Sequence, residues 1–501
     1  MNNISRARHF LVSLLGLVLF LAAAEPGTAV AQRGLARRID RQLAEPPFDR
    51  AHWGILVADE SGRELYSLNA DRFFVPASTN KLIVTATASV LLSPAYTATT
   101  SVYGSGPLVN GTLDGDLVVV GRGDPTFSAR CYGTDTLAAG ACDSLWSRMD
   151  ALADLIIARG LRHVTGAIVG DGSYFDDQLV HPGWEHYDLN WWYAAPVSGL
   201  GFNDNSLDVT HGPGPDVDAP ARIEIEPALG LFLFENRTRT VGADERRTID
   251  FFRSPGAATI WAEGNVPIGG RQRTEYFAVP DPNLYFAAAL RDALARRGVS
   301  IAGPTRSTTD STLYRALREG PAIVDMPSRP LADWIFPILN TSQNWFAEML
   351  LKTLGKETRG QGSWRAGLEA ERSFLVDSVG VDSTAFSLDD GSGLSTSNLL
   401  TPRTLVRLLS YMRTHPGNEG FLRGLPRSGA LGSLRTRFVG TPLEGSVTAK
   451  TGSIAHVNSL AGYVERPDGR TLTFAIFANN HTARGAAMLS RIDSIVVEMG
   501  R

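Results

Sequence analysis

Both ends of this 501-residue chain carry a predicted β-hairpin, and this feature restricts the fold more than any other. Residues 53–68 hold an apolar run, a polar turn with glycine and an alternating run, which is the pattern of two antiparallel strands. Residues 459–478 repeat this pattern around a Pro-Asp-Gly-Arg turn, and an amphipathic helix follows at 485–499. Two terminal hairpins and a final helix predict one antiparallel sheet built from both ends of the chain.

The region between the hairpins is of two kinds. Residues 98–265 are rich in Gly, Asp and Pro and hold short strand-like runs, so we interpret them as an insertion. Helical patterns lie on either side of it, at 79–92, 284–297, 334–354 and 364–379. The first of these is apolar nearly all round, which predicts a helix buried in the core. The expected fold class is therefore α+β.

The first 31 residues have the layout of a secretory signal peptide. Two arginines precede an apolar run at 10–24, and Ala-Val-Ala at 29–31 supplies a cleavage site. The run is shorter than the roughly 20 residues of a membrane-spanning helix, which favours a cleaved signal peptide. The alternative is an uncleaved membrane anchor. We therefore expect an exported protein, periplasmic or otherwise extracytoplasmic. There the only two cysteines, Cys131 and Cys142, are expected to form a local disulfide, the alternative being two free thiols.

The charge balance argues against one large class of function. Lys and Arg number 48 and Asp and Glu 52, for a formal net charge of −4, and no block of five or six like charges occurs. Such a chain has no sequence signature of a surface that binds nucleic acid or anionic lipid. The nine histidines form no set with metal-ligand spacing, so no metal site is expected.

Lysine is rare in this chain, and its positions are informative. Only four of the 48 basic residues are Lys, and the others are Arg. Ser78 and Lys81 are three residues apart at a predicted helix start, so both project from one face. A serine hydroxyl needs a base to take its proton, which a lysine of lowered pKa can do and an arginine cannot. By itself, the pair also fits a capping serine near a chance lysine.

A second lysine begins the sequence Lys450-Thr451-Gly452-Ser453, which follows the strand-like run 445–449. A strand edge that ends in Thr-Gly offers a hydroxyl, an unobstructed backbone and an outward N–H. These groups can hold a substrate carboxylate and complete an oxyanion hole. A lysine at an ordinary strand end is the alternative.

A third motif, Ser342-Gln343-Asn344, stands at a helix start or in the loop before it. Such a triplet is common by chance, and residues 67–69 and 78–80 also match it. The order Ser-x-x-Lys, Ser-x-Asn, Lys-Thr-Gly along one chain is far more specific. It is the motif set of β-lactamases and penicillin-binding proteins.

With these motifs the chain resembles the low-molecular-mass class C penicillin-binding proteins, which are serine D-alanyl-D-alanine carboxypeptidases and endopeptidases. Ser342 follows Ser78 by 264 residues, a gap that looks like this family's and is too long for a simple β-lactamase. Gln343 departs from the family, where Asp or Asn is common, and its side chain is expected to point away from the chemistry. Residues 210–265 match least, and the other stretches that look familial are 123–127, 170–176, 193–198, 342–348 and 390–395.

The resemblance implies a transpeptidase-like catalytic domain of the penicillin-binding and β-lactamase type, formed by residues 32–97 plus 266–501. An accessory region at 98–265 is expected to be inserted after the first motif, with a smaller domain nested at about 210–265. Asp171 resembles an acid of the insertion that approaches the substrate side chain in this family, an ordinary loop carboxylate being the alternative.

The expected reaction is hydrolysis of peptidoglycan stem peptides through an acyl-enzyme on Ser78, with no metal or organic cofactor. Lys81 is expected to act as the base, Ser342 to relay the proton to the leaving amine, and Asn344 to hold Lys81 and the substrate. The expected substrate-binding residues are Lys450, Thr451, Gly452 and Ser453. They would hold the terminal carboxylate of the peptide or the ring carboxylate of a β-lactam, which would inhibit the enzyme by acylating Ser78.

Two alternatives stay open. A β-lactamase or esterase on the same scaffold would turn over its acyl-enzyme quickly. A non-catalytic cell-wall-binding protein would retain the motifs as relics. The sequence gives no indication of oligomeric state.

Overall fold

The computed structural model describes residues 26–128, 144–254 and 257–501. Residues 1–25 of the predicted signal peptide and the predicted Cys131–Cys142 disulfide lie outside these ranges. None of the helices within them is both long and apolar enough to cross a membrane.

The helices of the described residues are α1 (Pro26–Leu43), α2 (Lys81–Leu91), α3 (Ser147–Ala158), α4 (Pro282–Arg296), α5 (Arg315–Glu319), α6 (Leu331–Asn340), α7 (Asn344–Arg359), α8 (Trp364–Ser373), α9 (Pro402–Thr414), α10 (Glu419–Gly424) and α11 (Gly485–Met499). The strands are β1 (His52–Ala58), β2 (Glu64–Leu68), β3 (Thr99–Gly104), β4 (Leu108–Val109), β5 (Thr112–Leu113), β6 (Leu117–Val120), β7 (His163–Val164), β8 (Ile168–Asp171), β9 (Ser206–Gly212), β10 (Arg222–Glu226), β11 (Leu233–Val241), β12 (Asp250–Arg253), β13 (Thr259–Pro267), β14 (Arg273–Ala278), β15 (Ser300–Ile301), β16 (Thr305–Thr308), β17 (Val324–Pro327), β18 (Phe386–Ser387), β19 (Leu399–Leu400), β20 (Val447–Ile454), β21 (Val457–Glu465) and β22 (Thr471–Asn479).

The two chain ends form one sheet, as the hairpins predict. Strands β2, β1, β22, β21 and β20 lie side by side in that order, and each neighbouring pair is antiparallel. Strand β1 joins the two ends by pairing with β22, so that Ile55 is the register partner of Ile476. The predicted α+β fold class is confirmed.

Helices cover both faces of this sheet. Ile55 and Val57 of β1 pack on the side of α1 and α11, whereas Leu56 and Ala58 pack on the side of α2, α7 and α9. Successive side chains of a strand point to opposite faces, so both sets are buried. This explains why β1 reads as a continuous apolar run rather than as an alternating one.

A second sheet has its own hydrophobic core and includes residues on both sides of position 266. Strands β16, β8, β6, β3 and β17 form a mixed sheet that packs with α3 and α4 around a separate core. Strands β9 to β14 form two three-stranded sheets. The catalytic domain is expected to resume near residue 266. Strands β16 and β17 lie after that residue but still pair with β8 and β3, which lie before it. The domain limits stay a prediction, and the pairing favours a join near Leu331, where α6 begins.

The helical pattern at 334–354 is interrupted in the structure. Helix α6 ends at Asn340, and α7 begins at Asn344. Between them Ser342 adopts a left-handed backbone conformation with φ of 65°, which costs energy for a residue other than glycine. The break places Ser342 and Asn344 at the head of α7 rather than within a helix.

Candidate active site

The first motif forms the entrance to a buried helix. Ser78 lies in the 3-10 turn Ala77–Asn80, and Lys81 is the first residue of α2. The Lys81 Nζ lies 2.9 Å from the Ser78 Oγ, within hydrogen-bond distance. The Ser78 side chain is half-buried, whereas Lys81 is fully buried. The structure therefore joins the two groups that the spacing predicted to meet.

The amine of Lys81 has two further partners, and both are carbonyl oxygens. Its Nζ donates to Asn344 Oδ1 at 2.6 Å and to the backbone oxygen of Ser392 at 2.7 Å. A neutral amine has two N–H donors and one lone pair. Because neither carbonyl oxygen can donate, they take both hydrogens and leave the lone pair for the hydroxyl hydrogen of Ser78. This is the geometry of a general base.

Burial lowers the pKa of Lys81 from 10.5 to about 7. The carboxylates of Asp390 and Glu348 act in the opposite direction, since a negative charge favours the ammonium form. The pKa of Lys450 is also lowered well below its usual value, first by burial and then by the charge of Lys81. The amine that faces Ser78 is thus able to give up its proton near neutral pH.

The second motif meets both lysines. Asn344 accepts from Lys81 through Oδ1 and donates through Nδ2 to the backbone oxygen of Tyr193 at 2.8 Å, which fixes its amide. Ser342 Oγ accepts from Lys450 Nζ at 2.8 Å. Gln343 points elsewhere, as expected, because its side-chain oxygen caps α7 at the Trp345 N–H.

The third motif lies within β20, the edge strand of the sheet, so the strand continues past Thr451 and Gly452 instead of ending there. Lys450 also donates to the Thr451 backbone oxygen at 2.8 Å. A Cβ on Gly452 would lie 3.0 Å from the Ser78 nitrogen, so glycine is required for the strand to pass this close to the serine turn. Ser453 is exposed, and its Oγ accepts from Asn458 Nδ2 at 3.0 Å.

The loop Asp390–Ser395 closes the other side of the lysine. It supplies the Ser392 carbonyl, and it approaches the serine turn so closely that a Cβ on Gly393 would lie 1.9 Å from the Ala77 oxygen. Asp390 holds the loop from inside by accepting from the backbone N–H groups of Gly393 and Ser395, each at 2.7 Å. The sequence marked this stretch only through its resemblance to the family.

A cavity of about 430 Å³ opens onto these groups. It is lined by Ser78, Gly183, Glu185, Asp188, Tyr193, Asn344, Gly393, Leu394, Thr396, Ser453, Ile454 and Ala455. Two of its lining residues, Glu185 and Asp188, are acidic, and none of the described residues that line it is a lysine or an arginine. The Tyr193 hydroxyl donates to Asp188 at 3.0 Å, and burial raises the pKa of Asp188. The sequence predicted neither acid, because both lie in the irregular segment 177–187 or directly after it.

The structure does not bring Asp171 to this cavity. Asp171 ends β8 in the inserted sheet and is completely buried. Its carboxylate accepts from Arg318 at 3.0 Å and from the Ser173 N–H at 2.9 Å. The alternative for this residue was a loop carboxylate, whereas the structure has Asp171 at the end of a strand with these contacts.

Serine chemistry served by a buried lysine, on a sheet and helix scaffold of this kind, defines the penicillin-binding class of serine enzymes. The sequence profile of the D-Ala-D-Ala carboxypeptidase 3 (S13) family matches residues 35–499. The chain belongs to this family and is a serine-type D-Ala-D-Ala carboxypeptidase. The family predicted from the three motifs is thereby confirmed.

Individual relatives agree with this assignment. The chain is 32% identical to a D-alanyl-D-alanine carboxypeptidase of Actinomadura sp. (strain R39), over 99% of this chain and 90% of that protein. The fold is similar to that of penicillin-binding protein 4 from Haemophilus influenzae, with a TM-score of 0.80, 21% identity, and coverage of 92% of this chain and 99% of that one. A second structure of the Haemophilus protein, with a TM-score of 0.74 and 20% identity, contains a β-lactam and covers 93% of this chain and 99% of that one.

Proposed function

We propose that this carboxypeptidase removes the terminal D-alanine from peptidoglycan stem peptides outside the cytoplasm, through an acyl-enzyme on Ser78. The observation that carries the proposal is the 2.9 Å contact between the Ser78 hydroxyl and the fully buried amine of Lys81. The predicted signal peptide supports the location.

The reaction begins with acylation of Ser78. The Ser78 Oγ bonds to the carbonyl carbon of the penultimate D-Ala while its proton passes to the Lys81 amine. The C–N bond breaks, and the Lys81 ammonium gives this proton back, by way of Ser342, to the leaving amine, so that Lys81 is neutral again. The Ser342 hydroxyl is held 2.8 Å from the Lys450 amine. Water next attacks the ester, releases the shortened peptide and restores the Ser78 hydroxyl.

The edge strand β20 binds the scissile carbonyl and the terminal D-Ala of the substrate. The backbone N–H groups of Ser78 and Ser453 are suited to hold the oxyanion, at typically about 3 kcal/mol for each donor. Lys450, Thr451 and Ser453 bind the carboxylate of the terminal D-Ala. A β-lactam places its ring carboxylate and its strained amide in the same positions, so it acylates Ser78. The β-lactam complex of the Haemophilus protein supports this by analogy of fold.

The acidic residues of the cavity indicate the charge of the substrate residues that precede the two D-alanines. Glu185 and Asp188 line it without a lysine or arginine among the lining residues, which favours a peptide with a free amine on its third residue. Asp188→Asn should raise KM about tenfold for such a peptide and little for its N-acetylated form. Equal KM changes for both peptides would contradict this assignment, and Asp171→Asn serves as the control outside the cavity.

The proposed function is tested by mass spectrometry after incubation with a penicillin. We expect the mass to increase by one drug molecule, with the adduct on the peptide that contains Ser78, and no adduct in Ser78→Ala. An unmodified wild-type protein, or an adduct on another residue, would refute the mechanism. A nitrocefin time course separates the alternatives, since a β-lactamase turns over continuously whereas a peptidase stops after about one equivalent.

The endopeptidase activity implied by the resemblance remains a second candidate. Digestion of defined crosslinked and uncrosslinked muropeptides, followed by separation of the products, distinguishes the two activities. Release of D-alanine alone indicates a carboxypeptidase. Cleavage of the crosslink in dimers shows endopeptidase activity as well.

A further inference from the structure

A buried glutamate outside the three motifs contacts the loop behind Lys81. Glu348 lies one turn after Asn344 on α7, so both side chains project from the same face of that helix. Its side chain is completely buried. Burying a carboxylate is expensive unless strong hydrogen bonds compensate, so its contacts indicate its role.

The contacts of Glu348 converge on two successive backbone N–H groups of the loop Asp390–Ser395. Its Oε1 accepts from the Ser392 N–H at 2.7 Å, and its Oε2 accepts from the Gly391 N–H at 3.1 Å. Trp364 of α8 donates to the same Oε2 at 2.8 Å. The carbonyl of Ser392 is the group that accepts from Lys81. Glu348 thus holds the backbone of the residue whose oxygen orients the amine.

We propose that Glu348 is a positioning residue of the reaction, which orients the lone pair of Lys81 toward Ser78 through the Ser392 backbone. The inference rests on the proposed roles of Ser78 and Lys81. Asn344 fixes one hydrogen of the neutral amine and Ser392 the other, so a displaced Ser392 carbonyl would let the amine rotate away from the hydroxyl.

The charge of Glu348 adds a second effect on the same amine. The groups that face Glu348 are Lys81 of α2, Lys352 of its own helix, Glu371 of α8 and Asp390 of the loop. Burial and the charge of Asp390 raise the pKa of Glu348 above its usual value. When ionised, Glu348 raises the pKa of Lys81. Neutralising Glu348 should therefore make Lys81 lose its proton at a lower pH.

The chain offers a matched control in Glu371. This carboxyl is also completely buried, and neither of its oxygens has a hydrogen-bond partner among the described residues. Burial and the charges of Glu348 and Asp390 raise its pKa well above the usual value, which favours the uncharged form of the acid. Glu371→Gln therefore makes the same substitution in the same buried surroundings without removing a hydrogen bond to the Ser392 backbone.

The experiment measures, as a function of pH, the rate of Ser78 acylation by a fluorescent penicillin. The rate is divided by the concentration of active sites, which is determined by burst titration. For Glu348→Gln we expect the limiting rate to fall by about 10- to 100-fold, because its amide nitrogen cannot accept a hydrogen bond. The acid limb of the profile should also move to lower pH. Glu371→Gln should match the wild type in both respects.

Trp364→Phe provides a milder test if Glu348→Gln does not fold. It removes the indole donor to Glu348 while retaining an aromatic ring, and should shift the acid limb in the same direction by a smaller amount. A purely structural role would reduce only the fraction of active sites. Unchanged limiting rates and acid limbs in whichever of these variants fold would overturn the inference. A wild type that is not acylated would instead refute the proposed function.

Discussion

Replacement of Lys81 by arginine separates basicity from charge at the position on which the mechanism depends. Arginine retains a positive charge and donors that can reach Asn344 and Ser392. It has no accessible neutral form, because its guanidinium does not deprotonate in proteins. If Lys81 serves only as a cation, the variant keeps its activity. If Lys81 takes the proton from Ser78, the variant is inactive.

The size of the effect follows from burial. With a pKa of about 7, the Lys81 amine is neutral in about half of the molecules near pH 7. At the ordinary lysine pKa of 10.5, about one molecule in 3,000 would be neutral at that pH. A positioned general base contributes about 10²- to 10⁴-fold to a rate. We expect Lys81→Arg to lower the acylation rate constant by about a thousandfold, close to the level of Ser78→Ala.

The assay follows labelling by a fluorescent penicillin over time, with thermal unfolding measured in parallel because a guanidinium is larger than an amine. Lys356→Arg is the matched control, since Lys356 carries the same substitution on the outer part of α7, where its amine contacts the Gly360 carbonyl oxygen. Labelling of folded Lys81→Arg at near the wild-type rate would reject Lys81 as the base.

Three further predictions test the site and its surroundings. Acylation of the wild type should increase as the pH rises through about 7, because Lys81 must lose its proton, and a flat profile from about pH 5 to 9 would contradict this. Gly393→Ala should slow acylation by about 100-fold, since its Cβ would meet a backbone oxygen of the serine turn at 1.9 Å. Gly380→Ala is the control, because Gly380 has a similar φ of 75° but open space around it, and equal acylation rates in the two variants would refute the steric argument. Arg318→Ala should lower the free energy of unfolding in urea by about 3 kcal/mol, because it leaves the buried Asp171 carboxylate without its cation, and KM should not change.

The parts of the fold that the sequence predicts are those with local causes. The hairpins at the chain ends follow from apolar runs and turn residues a few positions apart, and the structure has β1, β2, β21 and β22 at those places. The helix start after Ser342 was expected from the motif, but the left-handed conformation of Ser342 had no local signal, because it is imposed by the surroundings and not by the neighbours in sequence. The pairing of β16 with β8 and of β17 with β3 had no local signal either, because these are short strands whose partners lie far away in the chain.

The same distinction applies to the site. The contact between Ser78 and Lys81 is local and follows from their spacing on one helix face. The carbonyl of Ser392 is a backbone atom 311 residues from Lys81, and no side-chain motif identifies it. The acids of the cavity show the same limit, because nothing in the sequence selects Glu185 or Asp188. Packing brings these two to the cavity, whereas Asp171 is buried elsewhere.

The rare lysines link the composition of the chain to its chemistry. Lys81, Lys352 and Lys450 are completely buried, and each donates to side-chain and backbone oxygens, whereas Lys356 is only partly buried. Arginine carries nearly all the other positive charge of the chain. A buried cationic group is tolerated more easily when it can lose its proton, and lysine can do so while arginine cannot. Where a chain uses lysine so sparingly, a buried lysine marks a position at which a titratable amine is required, and two of these three positions lie in the catalytic motifs.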